Sequence, residues 1–331
     1  MRIFVVLVFS MFIFPLYSQF SHISREFELE IVNSKVIGFC ECIHGSSNIT
    51  ESQLVLIDLL NSKKEIGSVF IEYNNLFASN TEFSSKIRAI NPNLNIYGYN
   101  PGSLYASFQY AKKHLFTSNT LLLSKLTDVF NQLDSNEGYY WYHLNDNQYQ
   151  GLLFRLDSTY SFSINSLDSS IVSQLKYDVS YLSRLHATGS DLDRDSLMFD
   201  FILKNYSKNS SKKMLIFGHC GHLFKQLPFR QNNLGGLLHR KFGNKFLLIG
   251  TDAKSIEVVI KDKKYEKRKK RIQLDSLYHL PGLIHTNQIK KKNQKVFLIG
   301  SDFNLNEIYR LSYFPNMNWL LYYNELKIII K

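Results

Sequence analysis

Cysteine is scarce in this chain, with three in 331 residues at Cys40, Cys42 and Cys220. So few cysteines exclude a disulfide framework: one bridge is the most that can form, and one thiol is left over. Long apolar runs are equally scarce. Ile3–Tyr17 is apolar apart from Ser10 and contains Pro15, but it is shorter than the roughly 20 residues a membrane span needs. No G-x-S-x-G occurs anywhere, so the sequence offers no nucleophile elbow. No stretch interleaves aromatic and basic residues as a nucleic-acid groove requires, and no nucleic-acid partner is expected.

The N-terminus has Arg2, an apolar centre and a cleavage position after Ser18. That is the layout of a secretory signal, so residues 1–18 are set apart from the fold and the chain is expected to be exported to the periplasm, the envelope or the medium. Leu16 is large for the position it would hold before the cut, which leaves an uncleaved anchor as the alternative. The remaining 19–331 reads as one α/β domain. Its composition, 44% hydrophobic and 20% charged, suits a protein with a substantial core. The formal charge of +11 is concentrated rather than spread. Lys261–Arg271 has eight basic and two acidic residues, hence +6, and Lys290–Lys292 adds three more. The plain reading is a solvated loop or sheet edge; the functional one is contact with an anionic envelope surface, lipid or polysaccharide.

Past a polar lead-in, Val36–Phe39 reads as a buried strand that ends in Glu41, followed by a turn at Gly45-Ser46-Ser47. Asn48 and Glu51 have capping-box spacing, and Leu54, Ile57 and Leu60 recur with helical period to about Lys63. Further strands are expected at Ser68–Glu72 and Leu94–Tyr99. Strand, helix, strand and crossover give an α/β fold with a mainly parallel sheet and flanking helices. From about 103 to 211 the pattern turns helical, with faces at Leu122/Leu126/Val129, Ile171/Leu175/Val179 and Met198/Phe201/Ile202. This stretch reads as a helical insertion over the crevice at the strand C-termini, with the aromatic cluster Tyr139–Tyr142 as core or pocket lining. The sheet resumes at Lys213–Gly218, then at Phe246–Gly250 and Val296–Gly300, two strands with the same F-L-I-G-like close, and at Trp319–Ile330.

Ionisable residues gather at strand ends: Glu41 and His44 after the first, Glu72 at the end of the second, His219 and His222 after a later one. Each alone is more often structural, a hydrogen-bonded core histidine or a helix-capping glutamate. In open parallel sheets, however, ligands bind outside the carboxyl ends of the strands, where all of these converge.

Together, E-x-x-H-G at Glu41–Gly45, a strand-final Glu72, R-D at Arg194-Asp195, H-x-x-H at His219–His222 and the tail L-G-G-L-L-H-R-K-F-G at Leu234–Gly243 resemble the erythromycin esterase family, which includes succinoglycan-biosynthesis-like members. The resemblance runs from about Val36 to Thr251. The chain departs from the family pattern in having Cys40 for a glycine, Asn48 for an acidic residue and His219-Cys220-Gly221-His222 for H-N-x-H. The resemblance implies hydrolysis of an ester or lactone by an activated water, without a covalent acyl-enzyme; a small-molecule substrate and no cofactor are expected. A neutral imidazole is a suitable base if a carboxylate orients it. His44 is assigned that role, Glu41 or Glu72 the orienting one, and His219, His222 and Arg194 the polarising of the carbonyl or oxyanion.

Two alternatives stand beside this reading. Glu41, His44, Glu72, His219 and His222 are also a plausible shell for a divalent metal such as zinc, although E-x-x-H is not the H-E-x-x-H order of zincins. A non-catalytic envelope polysaccharide- or lipid-binding protein is the other. The cysteines are read as small buried hydrophobes, with thiol ligation or a Cys42–Cys220 disulfide as alternatives.

Overall fold

The computed structural model describes residues 24–102, 104–130, 144–188, 192–206, 211–226, 232–261, 267–273, 282–286, 295–299, 308–312 and 317–330. The signal-like segment, the Tyr139–Tyr142 cluster and Lys290–Lys292 lie outside these residues. Among the described residues no helix is long and apolar enough to cross a membrane. The chain divides into two compact units, one built from the residues up to Phe70, Glu82–Asn95 and Tyr206 onward, the other from Ile71–Thr81 and Ile96–Asn205.

The first unit is the sheet. Helix α1 (Arg25–Asn33) opens on Ser24, whose hydroxyl accepts the Phe27 N–H, and it buries Phe27 and Ile31. Strand β1 (Val36–Glu41), helix α2 (Ser47–Ser62), strand β2 (Ile66–Ile71) and helix α4 (Glu82–Ile90) follow, while the short helix α3 (Asn75–Ala78) and strand β3 (Asn95–Gly98) from Ile96 on belong to the other unit. The chain returns through β4 (Lys213–His219), α10 (Cys220–Leu223), α11 (Leu234–Phe242), β5 (Phe246–Lys261), β6 (Lys267–Gln273), β7 (Gly282–His285), β8 (Lys295–Ile299), β9 (Ile308–Ser312) and β10 (Trp319–Ile330). The sheet runs β3-β2-β4-β1-β5-β10-β7, with β6 paired to β5.

β1 is central because V-I-G-F-C can be buried on both faces, as parallel strands require. It pairs in parallel with β4, Val36 to Met214 through Glu41 to His219, and with β5, Val36 to Phe246 through Cys40 to Gly250. Gly38 is needed there: a Cβ would lie 2.8 Å from Leu248 Cδ1 and 3.1 Å from the Phe246 ring.

Several expectations are corrected. The strand expected at Phe246–Gly250 continues to Lys261, because its second half finds a parallel partner in β10 and, from Ser255 on, an antiparallel one in β6. The basic segment contains the edge strand β6, in keeping with the sheet-edge reading of it. The strand at Lys295–Ile299 pairs with β9 in a separate two-stranded sheet, so its likeness to β5 is not positional. The Asn48–Glu51 capping box does not form: Gly45, at φ 79, turns the chain so tightly that α2 already starts at Ser47, with Ser46 as the N-cap and no side-chain bond from it.

The second unit is helical: α5 (Leu104–Ser118), α6 (Thr120–Phe130), α7 (Asp146–Thr159), α8 (Ser166–Thr188) and α9 (Leu192–Tyr206). Its core is filled by Phe108, Leu115, Leu122, Leu126, Leu156, Ile171, Leu175 and Val179, all closed to solvent. Into this core α8 carries a carboxylate, Asp178. Its oxygens accept hydrogen bonds from the Gly102 N–H at 2.8 Å, the Gln174 amide at 2.7 Å and the Ser107 hydroxyl, and Asn74 donates to that hydroxyl at 2.8 Å.

Burial pushes the Asp178 carboxyl up to about 7, against the pull of these donors. The folded state therefore holds a proton that the unfolded chain gives up near pH ~4, and this group's contribution to stability falls as pH rises from about 4 to 7. For the asparagine variant, Asp178→Asn, the urea midpoint should lose that fall, which a comparison of unfolding at about pH 5 and about pH 8 reads directly.

Candidate active site at the ends of β1 and β4

Register decides the first pairing. Glu41 ends β1 directly beside His219, which ends β4. The turn Cys42–Gly45 then brings His44 back over the strand end, with Nδ1 3.6 Å from Glu41 Oε2, inside ion-pair range but longer than a hydrogen bond. The His44 and His219 rings lie 4.9 Å apart between centroids, inclined by 37°. His44 keeps 32% of its side chain exposed and Glu41 19%, so the pair borders solvent instead of sinking into the core.

His219 is also the N-cap of α10, and its Nδ1 accepts the Gly221 N–H at 3.2 Å. A backbone N–H can only donate, so Nδ1 carries no proton and a neutral ring holds its proton on Nε2. His219 is thereby set as an Nε2–H donor. His222 is mostly buried in the same short helix.

Two features hold this turn. Asn233, itself buried, donates from Nδ2 to the carbonyls of His222, at 3.1 Å, and Phe224. Gly235 lets α11 close on the same backbone: a Cβ there would lie 1.9 Å from the Leu223 carbonyl oxygen and 2.4 Å from that of Phe224. Gly235→Ala must therefore push α11 off the turn, and a loss of about 3 kcal/mol or more in unfolding free energy is expected in a denaturant titration.

The cysteines differ from expectation. Cys40 and Cys220 form a disulfide with Cα atoms 4.6 Å apart, so these two are not free hydrophobes, and the pairing is not the Cys42–Cys220 alternative. The reason is local: Cys42 lies past the strand end and turns to β5, its N–H donating to Thr251 Oγ1 at 2.9 Å while that hydroxyl donates to the Cys40 carbonyl at 3.0 Å. The Cys42 thiol is buried and free, and burial, with the charge of Asp252 next, pushes it far above the usual thiol range. Cys42 alone is the inert small hydrophobe that the sequence suggested.

With this geometry in place, a model of the family described as "Erythromycin esterase" matches residues 77–285. That is more than half of the chain. The chain belongs to the erythromycin esterase family. The match contains Arg194, His219 and His222 and begins after Glu41, His44 and Glu72.

Solved structures of similar fold include a succinoglycan biosynthesis protein, with 12% identity, TM-score 0.67, and coverage of 92% of this chain and 91% of that one. A Bacillus cereus protein gives 13%, 0.64, 92% and 91%. A mutant of erythromycin esterase EreC in its open conformation gives 12%, 0.58, 91% and 94%. No curated protein matches the sequence.

The remaining expected residues of this erythromycin esterase family member lie in the helical unit. Glu72 is half-buried, directly after β2 rather than within it. Arg194, in the first turn of α9, directs Nε and Nη2 to Asn100 Oδ1 at 3.1 and 2.6 Å. The donor atoms of Glu41, His44, His219 and His222 do not gather as a trio within 4.8 Å of one another; among the described residues Glu26, Glu30 and His285 do. Sequence reading missed Asp178 and its partners Asn74 and Ser107. The signal was present, since Gln174 and Asp178 fall on the same helical face as Ile171, Leu175 and Leu182, where polar residues have no ordinary place.

Proposed function

We propose that this chain is an exported hydrolase of a small-molecule ester or lactone, working at the ends of β1 and β4. The observation that carries the reading is the meeting of His44, Glu41 and His219 at the carboxyl ends of two adjacent parallel strands. Family membership supports the hydrolase class.

In this reading His44 has Nδ1 toward Glu41 and uses Nε2 to take a proton from water as that water attacks the carbonyl. Glu41 favours the imidazolium that forms. The Nε2–H of His219 supplies a hydrogen bond to the developing oxyanion, a contribution of roughly 3 kcal/mol when preorganised. The tetrahedral intermediate then collapses with return of the proton from His44 to the leaving alkoxide. His222 supports the same turn, and Glu72 and Arg194 are second candidates for orienting and polarising roles.

The test is turnover of generic aryl esters and macrolactones by the purified protein, with and without chelator. Chelator-insensitive turnover that is lost in His44→Ala supports the proposal. Loss on chelation moves the chemistry to a metal, and binding of envelope polysaccharide or lipid without any turnover replaces it with the binding reading.

A further inference from the structure

Away from the β1/β4 ends, the first unit brings together two carboxylates and an imidazole from elements far apart in sequence. Glu26 and Glu30 stand one turn apart on α1, and His285 closes β7; their ligand atoms lie within 4.8 Å of one another. His285 is 6% exposed, and its Nε2 lies 3.2 Å from Glu30 Oε1. We propose that Glu26, Glu30 and His285 form a structural site for a divalent transition metal, zinc in the first instance, that clamps α1 to the edge of the sheet.

Several features favour a metal over a simple ion pair. Two ligands held at about 2.0–2.1 Å on a tetrahedral zinc are roughly 3.3 Å apart, so the 3.2 Å between the His285 and Glu30 atoms accommodates a shared ion as well as it does a direct hydrogen bond. A His285–Glu30 ion pair has no need of Glu26, whereas a metal does: the second carboxylate completes a trio of N and O donors. The imidazole selects zinc-like ions over calcium or magnesium, which take oxygen ligands.

The outer partners are also placed. Trp319 is the cross-strand partner of His285 in the β10–β7 pair, and its Nε1–H donates to Glu30 Oε2 at 2.9 Å. That bond turns the other oxygen, Oε1, toward His285, the orienting role that outer-shell donors play at metal sites. The Trp319 ring packs edge-on against His285, with centroids 4.7 Å apart, and against Phe27 of α1 at 5.0 Å. Lys225 donates to Asn318 Oδ1 at 2.6 Å. Glu26 is exposed, so an ion has a path in and water can fill the fourth position.

The test uses the whole folded protein and zinc alone, with dialysis and metal analysis, cobalt substitution read by its visible spectrum, and thermal melts. Wild type is expected to retain one zinc per chain, to give a tetrahedral cobalt spectrum, and to melt about 3 °C or more higher at zinc roughly 100-fold above Kd. Affinity should fall at least about tenfold in Glu26→Gln and about tenfold in Trp319→Phe, through the lost orienting bond. Because Glu26 is exposed, Glu26→Gln keeps the fold whatever becomes of a His285 variant. No zinc at one per chain, or equal affinity in wild type and Glu26→Gln, overturns the site and leaves a His285–Glu30 ion pair. Ester turnover plays no part in these readouts, so their outcome is separate from that of the hydrolase proposal.

Discussion

Replacing His44 with alanine should lower kcat on an aryl ester by about 10²- to 10⁴-fold, the range by which a positioned general base accelerates proton transfer. The fold should survive, since a third of the side chain is exposed and little packing is lost. Magnitude separates the base from its orienting partner. At 3.6 Å and on the border of solvent, the Glu41–His44 pair is worth about 1 kcal/mol at most, so Glu41→Gln should cost only about fivefold. Steady-state kinetics on the two variants, with melting temperatures as a control, test this ordering. A Glu41→Gln loss as large as that of His44→Ala would make the carboxylate the base.

The second large effect concerns the disulfide. Cys40 precedes Glu41 and Cys220 follows His219, so the bond joins the two strand ends that carry the proposed base and the proposed oxyanion donor. These are also two of the positions at which the chain departs from the pattern its sequence resembles. The bridge closes a loop over a sequence separation of 180, for which loop-closure entropy gives about 5 kcal/mol. Cys40→Ser/Cys220→Ser is therefore expected to melt roughly 10 °C lower and to lose activity, because Glu41 and His219 are no longer tied in register. Cys42→Ser is the contrasting case: its thiol is buried and unbonded to sulfur, so it should retain the bridge and the register. A double variant as stable as wild type would show that the sheet alone fixes the strand ends.

Much of the sheet was legible because its central strands are continuous apolar runs ending in charge. Val36–Phe39 and Lys213–Gly218 read as buried strands for the same reason that β1 and β4 are central, and their ends carry Glu41 and His219 into register. Other features depend on information that periodicity does not hold. The length of β5 is set by its partners β10 and β6, since Thr251–Lys261 alone mixes polar and apolar residues as a loop would. The disulfide partner of Cys220 depends on which cysteine lies inside the strand and which lies beyond it, a shift of only a turn's worth of chain. Asp178 sits on an apolar helical face, and only the convergence of Gly102, Ser107 and Gln174 makes a carboxylate tolerable there. Glu30 and His285 stand 255 positions apart, a pairing that no local spacing reveals.

Ester hydrolysis by a water activated at His44 is the step on which the proposed roles of Glu41 and His219 depend. The most direct measurement is the pre-steady-state release of phenol from an aryl ester, followed by stopped flow in wild type and His44→Ala. The predicted result is release that is linear from the first turnover in wild type, with no burst, and that is nearly absent in the variant. A burst equal to the enzyme concentration, or an unchanged rate in His44→Ala, would contradict it.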